Sequence, residues 1–270
     1  HFEAGRFAEA APLTVEAAEA APSDALPKLL TGALRAAAGD VAEDVEACPE
    51  HAELEAVLRA NVLVARALPG DTEGDAEASA AVLEAELAEG APLAQLLAKD
   101  SDPSFTSMSL RSAMGQLTVL VGAANRPWAR PLLVAALKDY EVLQPGGPTL
   151  APVLFRTLSA LGSLTELAGD AVAGEGLLRA AADHVDEAMN GPLAVALDGG
   201  RGRLWRFQVF ATFADLLERG RRGEQRASEV AALRARAAAA LKAEDEGAVP
   251  SAAQLRWGLI HLPPPEALSA

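Results

Sequence analysis

Apolar residues recur along this chain at helical spacing, and polar or breaker residues close each run. Trp205, Val209 and Phe213 share one face of a 3.6-residue period at i, i+4 and i+8. No segment alternates apolar and polar residues in the way a half-buried strand requires. With Pro and Gly as punctuation, the pattern predicts helices over 3–20, 24–38, 50–68, 75–89, 91–99, 105–124, 128–143, 150–168, 171–189, 202–219, 224–244 and 251–261. Two stretches are expected as connections. In Asp100-Ser101-Asp102-Pro103-Ser104 a Ser or Asp is placed to cap the next helix, and Gln144-Pro145-Gly146-Gly147-Pro148 is a loop.

Composition agrees with an all-α protein. Half of the residues are hydrophobic, mostly Ala and Leu, and only 4% are aromatic. Ala, Leu, Glu and Arg are the strongest helix formers, and β-branched residues are few. No run of about 18 uninterrupted apolar residues occurs, so no membrane span is expected.

Charge divides the chain. Residues 1–102 carry 21 Asp/Glu against 6 Lys/Arg, while residues 103–270 carry 17 of each, so the whole net charge of −15 sits in the first part. That argues against nucleic acid or an anionic membrane as its partner. The acidic stretch, including Glu43, Asp44 and Glu46, is expected to be a solvated helix face or a docking face for a basic protein or peptide. Nine of the eleven aromatics lie at 105 or beyond. Two regions follow: an acidic helical-hairpin region over 1–102, and an aromatic-richer helical region over 103–270 that continues from it.

Short turns between helices produce either an antiparallel bundle or a stacked solenoid. Gly5, Gly39 and Gly74 are 34 and 35 residues apart, and each opens a short acidic or Ala-rich helix. In Gly5-Arg6-Phe7-Ala8-Glu9-Ala10, followed by Thr14, Ala17 and Pro22, a glycine, an aromatic, small residues and a proline fall at ordered offsets. This stretch resembles the second helix of a tetratricopeptide repeat, a unit of about 34 residues built from two helices. Partial echoes occur around Gly74 (Ala76, Ser79, Leu83) and at Gly169, Ala171, Gly174, Leu178 and Ala181. Thr14 stands where the family prefers a large aromatic, Asp44 stands where a small residue belongs, and the Trp-Leu-Gly-Tyr signature of the first helix is missing. The resemblance implies antiparallel helix pairs stacked as a tetratricopeptide-like α-solenoid or compact helical array. It also implies a non-catalytic scaffold or adaptor that binds a protein or peptide segment.

Candidate chemistry is sparse. Glu46, Cys48, Glu50, His51 and Glu53 form the densest set of possible metal ligands, and Asp183-His184-Val185-Asp186-Glu187 forms a second. Neither has Glu three residues before the His, as a di-iron bundle wants. No Asp-Asp-x-x-Asp of a prenyl-chain cyclase occurs, and Gly162-Ser163 lacks the second glycine of a nucleophile elbow. No metal, cofactor or catalytic residue is therefore expected. Leu197-Asp198-Gly199-Gly200-Arg201-Gly202-Arg203 is the one glycine-rich basic loop, without the Gly-Lys-Ser/Thr ending of a P-loop. It is expected as an inter-helix linker, or as a weak anion site using Arg201, Arg203 and Arg206. Trp205 is expected in the core, or alternatively in the wall of an apolar pocket of a helical enzyme or small-ligand-binding protein. Arg219, Arg221, Arg222 and Arg226 suit the negative end of a helix. The single Cys48 excludes an intrachain disulfide. A cytoplasmic location is the working expectation. The chain opens at His1 without an initiator Met, which points to a processed product or to added leading residues.

Overall fold

A computed structural model describes residues 52–68, 76–88, 91–98, 103–122, 128–144, 150–220, 224–241 and 250–260. The expected helices at 3–20 and 24–38, the repeat-like stretch 5–22, Gly39 and Gly74, and Glu43, Asp44, Glu46, Cys48, His51, Arg221 and Arg222 lie outside the described residues. Of the described residues 87% are helical and none is in a strand.

Eleven α-helices lie among the described residues: α1 (Ala52–Ala67), α2 (Ala76–Leu87), α3 (Pro92–Ala98), α4 (Phe105–Leu120), α5 (Ala129–Leu143), α6 (Ala151–Leu167), α7 (Ala171–Met189), α8 (Ala194–Leu197), α9 (Gly200–Arg219), α10 (Ala227–Leu241) and α11 (Ala252–Leu259). A short 3₁₀ turn, Glu224–Arg226, leads into α10. Each agrees with a sequence expectation to within a few residues except α8, a single turn that the pattern does not separate from its flanking loop.

The ends are set by capping. Ser104 Oγ accepts from the Ser107 amide at 3.0 Å while Ser107 Oγ accepts from the Ser104 amide at 3.1 Å, a reciprocal box that starts α4. Ser251 and Gln254 do the same for α11. Between α6 and α7 the chain reverses in three residues. The Gly169 amide donates to Glu166 O and the Asp170 amide to Thr165 O, and Gly169 takes φ +95°, a left-handed conformation that favours glycine. The Asp170 carboxylate then accepts from the Ala173 amide and begins α7.

Neighbouring helices pack in pairs, α1 with α2, α4 with α5, α6 with α7 and α9 with α10. Helix α4 is the hub and touches α1, α3, α5, α6 and α11. It is buried at every position from Met108 to Thr118. The last helix, α11, packs against α1, α4 and α9, and the Arg256 guanidinium donates to Leu68 O at the end of the first described helix. One apolar cluster joins α1 to α4 through Leu63, Val64, Leu83, Met114 and Leu117. A second joins α6, α7, α9 and α10 around Phe155, Leu178, Val209, Phe210 and Phe213.

Small residues allow the closest approaches. A Cβ added at Gly162 of α6 would lie 2.7 Å from Leu178 Cγ, and one added at Gly174 of α7 would lie 2.8 Å from Gly162 O. Gly174, Leu178 and Ala181 therefore form the buried seam of the α6–α7 pair. Outside the cores, ion pairs cross between helices: Arg219 to Glu166, Arg179 to Glu175 and Glu229, Arg226 to Glu175, and Arg236 to Asp186. The even charge of residues 103–270 is thus used in part between elements. Arg219 occupies the last turn of α9, as expected from the sequence, and reaches Glu166 from there.

Glycines on one helix separate packing from propensity. Gly174→Ala is expected to destabilise the protein by about 1–3 kcal/mol, the usual cost of overpacking a filled interface. Gly176→Ala, two residues on and with nothing within 4 Å of an added Cβ, is expected to stabilise by about 0.5–1 kcal/mol. Denaturant melts of the two variants check this, and equal effects would remove the close-approach explanation.

Candidate functional site

Polar residues on α4 and α6 face each other inside the protein. Ser112 and Gln116 lie one helical turn apart on α4, and Arg156 and Thr157 lie opposite on α6; all four are buried. Arg156 Nε donates to Gln116 Oε1 at 3.0 Å, and Gln116 Nε2 donates to Ser112 Oγ at 2.9 Å. Thr157 Oγ1 lies 2.8 Å from Ser112 Oγ and 2.7 Å from Val153 O. Its single hydroxyl proton goes to the carbonyl, so it accepts from Ser112. The four side chains form one directed chain from the guanidinium to the backbone of α6.

Of the three arginines buried among the described residues, Arg256 is held at Leu68 O, and Arg111 and Arg156, on the facing helices α4 and α6, differ in their surroundings. Arg111 on α4 is neutralised. Its Nη1 donates to the Asp139 carboxylate of α5 and its Nε to Leu97 O at 2.9 Å, joining α3, α4 and α5. Arg156 is only 7% exposed, faces no carboxylate among the described residues, and leaves Nη2 without a partner. Its guanidinium carbon stands 4.7 Å from the ring centroid of Trp205 on α9. Arg201 shares the same indole at 5.3 Å. Burial, and secondarily the charge of Arg201, lowers Arg156 to about 9. Burial alone lowers Arg201 to about 10.

Trp205 and Arg201 are themselves tied to α11. The indole Nε1 donates to Gly258 O at 2.8 Å, and Arg201 Nη2 donates to Ile260 O. A cleft opens beside this group between α4, α6 and α9. Gln116, Arg156, Ser159, Ser163, Gln208, Thr212 and Trp205 give it polar or aromatic walls, and Val119, Leu120, Ala160 and Val209 complete it. The cleft is partly open and its volume is about 50 Å³. By that measure one water needs about 10–15 Å³, so the space takes a group of a few heavy atoms. Leu120, at the rim, is 40% exposed. Among the described residues lining the cleft there is no carboxylate, imidazole or thiol; the wall offers hydrogen-bond donors and apolar surface.

The four residues named from the glycine-rich loop divide into two pairs. Arg201 and Trp205 join Arg156. Arg203 and Arg206 turn the other way: Arg203 Nε donates to Asp198 O at 2.6 Å, and Arg206 Nη2 reaches the Asp198 carboxylate at 3.2 Å. The loop's own concavity, about 510 Å³ and open, is lined by Met189, Ala194, Val195, Asp198, Gly199, Gly200 and Arg203. There Asp198 already engages the cations. Gly202 is buried because a Cβ would meet Leu197 Cα at 2.4 Å, which lets α8 fold back on α9.

Sequence reasoning passes over Arg156 and Gln116. The signal that could have found them is that Arg156 and Glu166 are the only charged residues of α6, and that Glu166 lies at its end. Of the other aromatic positions, Val209, Phe210 and Phe213 are core, while Trp205 stands half-buried at the cleft. His184 pairs with Glu187 at 3.0 Å, and no group of three or more His, Cys, Asp or Glu is placed to hold a metal among the described residues. No described helix is long and apolar enough to cross a membrane. No family model, curated protein or solved structure matches the chain.

An unneutralised buried cation costs stability. Arg156→Met is expected to stabilise the ligand-free protein by about 1–3 kcal/mol, because the lost cation–π contact and the lost donor to Gln116 are worth less than the relieved desolvation. The sign with pH follows from the lowered value. The folded chain holds this proton less tightly than the unfolded chain, so the penalty is full below about pH 9 and fades as pH rises through it. The advantage of the variant is therefore largest at neutral pH and shrinks above pH 9, as paired urea melts at pH 7 and pH 10 measure.

Proposed function

We propose that the protein is a non-catalytic binding protein, and that its site is the cleft between α4, α6 and α9, where it takes part of a small ligand. The observation that carries this reading is one small cavity whose wall combines a buried, unneutralised guanidinium, an aromatic ring and polar side chains with an apolar rim. Gln116 is held by Ser112, Arg156 is held by Gln116 and Trp205, and Trp205 is held by Gly258. Groups held in this way lose little freedom when a ligand arrives.

Binding rather than turnover is supported by the lining. Guanidinium, amide and hydroxyl groups orient and neutralise a ligand, whereas proton transfer near neutral pH calls for an imidazole or a tuned carboxylate within reach of the reacting atom. Of the two expectations drawn from the sequence, the small-ligand alternative near Trp205 has the better support. A scaffold for long peptides asks for an extended concave groove, while here α11 packs across α1, α4 and α9 beside a short cleft.

The test is occupancy. Small amphiphiles, neutral and charged, are titrated into the full chain while the Trp205 indole NH signal is followed by NMR. Thr212→Trp, which adds bulk from α9 into the cleft, is expected to abolish the ligand-induced shift while the helical circular dichroism is retained. Shifts that persist in Thr212→Trp, or that centre on residues away from the cleft, would overturn this site.

A further inference from the structure

We infer that the cleft is an oxyanion site whose ligand is a small organic acid, its carboxylate received by Arg156 and its apolar body lying over Val119 and Leu120. This rests on the cleft being the binding site and adds the chemical class of what enters it.

Charge comes first. Arg111 shows how this fold treats a buried guanidinium whose role is structural, by setting the Asp139 carboxylate against it. Arg156 is as deeply buried, its side chain lines the cleft, and the charged group that bears on it is a second cation, Arg201. A buried guanidinium without a facing carboxylate, in a low local dielectric, attracts an anion far more strongly than the same charge in water. Geometry comes second. Nε is committed to Gln116 and the face of the guanidinium to Trp205, so the group is fixed in orientation, and Nη2 is the buried donor left without an acceptor. Buried donors in native proteins are almost always paired, so an unpaired one on a side chain that lines a cleft calls for an acceptor, which a bound anion supplies. Ser159, Gln208 and Thr212 add further polar groups on the same walls.

Size and polarity narrow the class. A volume of about 50 Å³ has room for a carboxylate, and the apolar rim favours an acid with a hydrocarbon body over a bare phosphate. Leu120, exposed at the rim, and Val119 beside it give an apolar surface for a short hydrocarbon body outside the cavity. Charge on Arg156 is kept at neutral pH and lost as pH rises through about 9, so affinity for an acid falls across that range.

The experiment compares n-hexanoate, n-hexanol and inorganic phosphate by calorimetry on the full chain at constant ionic strength, for the parent and for Arg156→Met. The expected result is that hexanoate binds at least about tenfold more tightly than hexanol, and that the variant loses this preference. Arg156→Lys keeps the charge but not the planar fork and is the conservative control; it is expected to weaken hexanoate while still favouring it over hexanol. The Trp205 indole signal reports, in the parent alone, whether the acid sits at this ring. Equal binding of acid and alcohol, unaffected by the substitution, overturns the oxyanion assignment and leaves the cleft reading standing. Phosphate binding more tightly than hexanoate overturns the choice of a carboxylate. If neither acid nor alcohol binds at millimolar concentration, the inference and the cleft reading fall together.

Discussion

The hydrogen bond from Arg156 to Gln116 joins two helices that are buried along most of their length, and much of the remaining described structure is arranged around the charge it carries. A guanidinium inside a helical core is costly, and the cost is reduced only where its edges and faces meet something polar or polarizable. One edge meets Gln116, whose amide is fixed by Ser112, whose hydroxyl is fixed by Thr157. The face meets Trp205, whose indole N–H is held by the backbone of α11. From one charge the contacts run to α4, α6, α9 and α11. The register of α4 on α6 is thereby specified by polar pairing, since the apolar surfaces of Ala- and Leu-rich helices slide past one another with little penalty.

Where α4 and α6 use polar pairs, α6 and α7 use the absence of side chains. Gly162 and Gly174 bring the two backbones together, and the three-residue turn through Gly169 and Asp170 leaves no slack with which to separate them. Ion pairs such as Arg179 with Glu229 and Arg219 with Glu166 lie outside this seam and are partly exposed, so each contributes little alone. The packing of α6 is therefore set by shape on its α7 side and by hydrogen bonding on its α4 side.

Helix positions are legible in the sequence because 3.6-residue periodicity, Pro, Gly and capping residues act locally. Ser104, Asp170 and Ser251 mark their helix starts as residues of that kind do. Partner choice is a non-local property, and there the pattern misleads. In α4 the residues Ser109, Ser112 and Gln116 have the polarity of a solvent face, yet they are buried, because a hub helix surrounded on every side hides its polar stripe against a matching one. The glycine-rich loop stands out in the sequence for its arginines. Asp198, within the same loop, engages Arg203 and Arg206, and only Arg201 joins the buried group. Trp205 is legible as important, but its role depends on Arg156, which lies 49 residues earlier in the chain.

The contrast between Arg111 and Arg156 bears most directly on what the protein does. Both sit in the interior of a domain rich in apolar residues, and an apolar side chain of similar volume would serve packing at either position. At Arg111 the carboxylate of Asp139 and the carbonyl of Leu97 satisfy the group, and the result is a strut between three helices. At Arg156 the chain supplies an acceptor for Nε, an aromatic face, and then a cavity. Stability alone favours removing such a charge or pairing it within the chain. On the binding reading proposed above, a charge fixed in orientation beside an apolar rim is the half of a contact that a ligand would complete. The same feature that weakens the empty fold would then give an incoming anion its affinity, so stability and binding would be opposed at this one side chain.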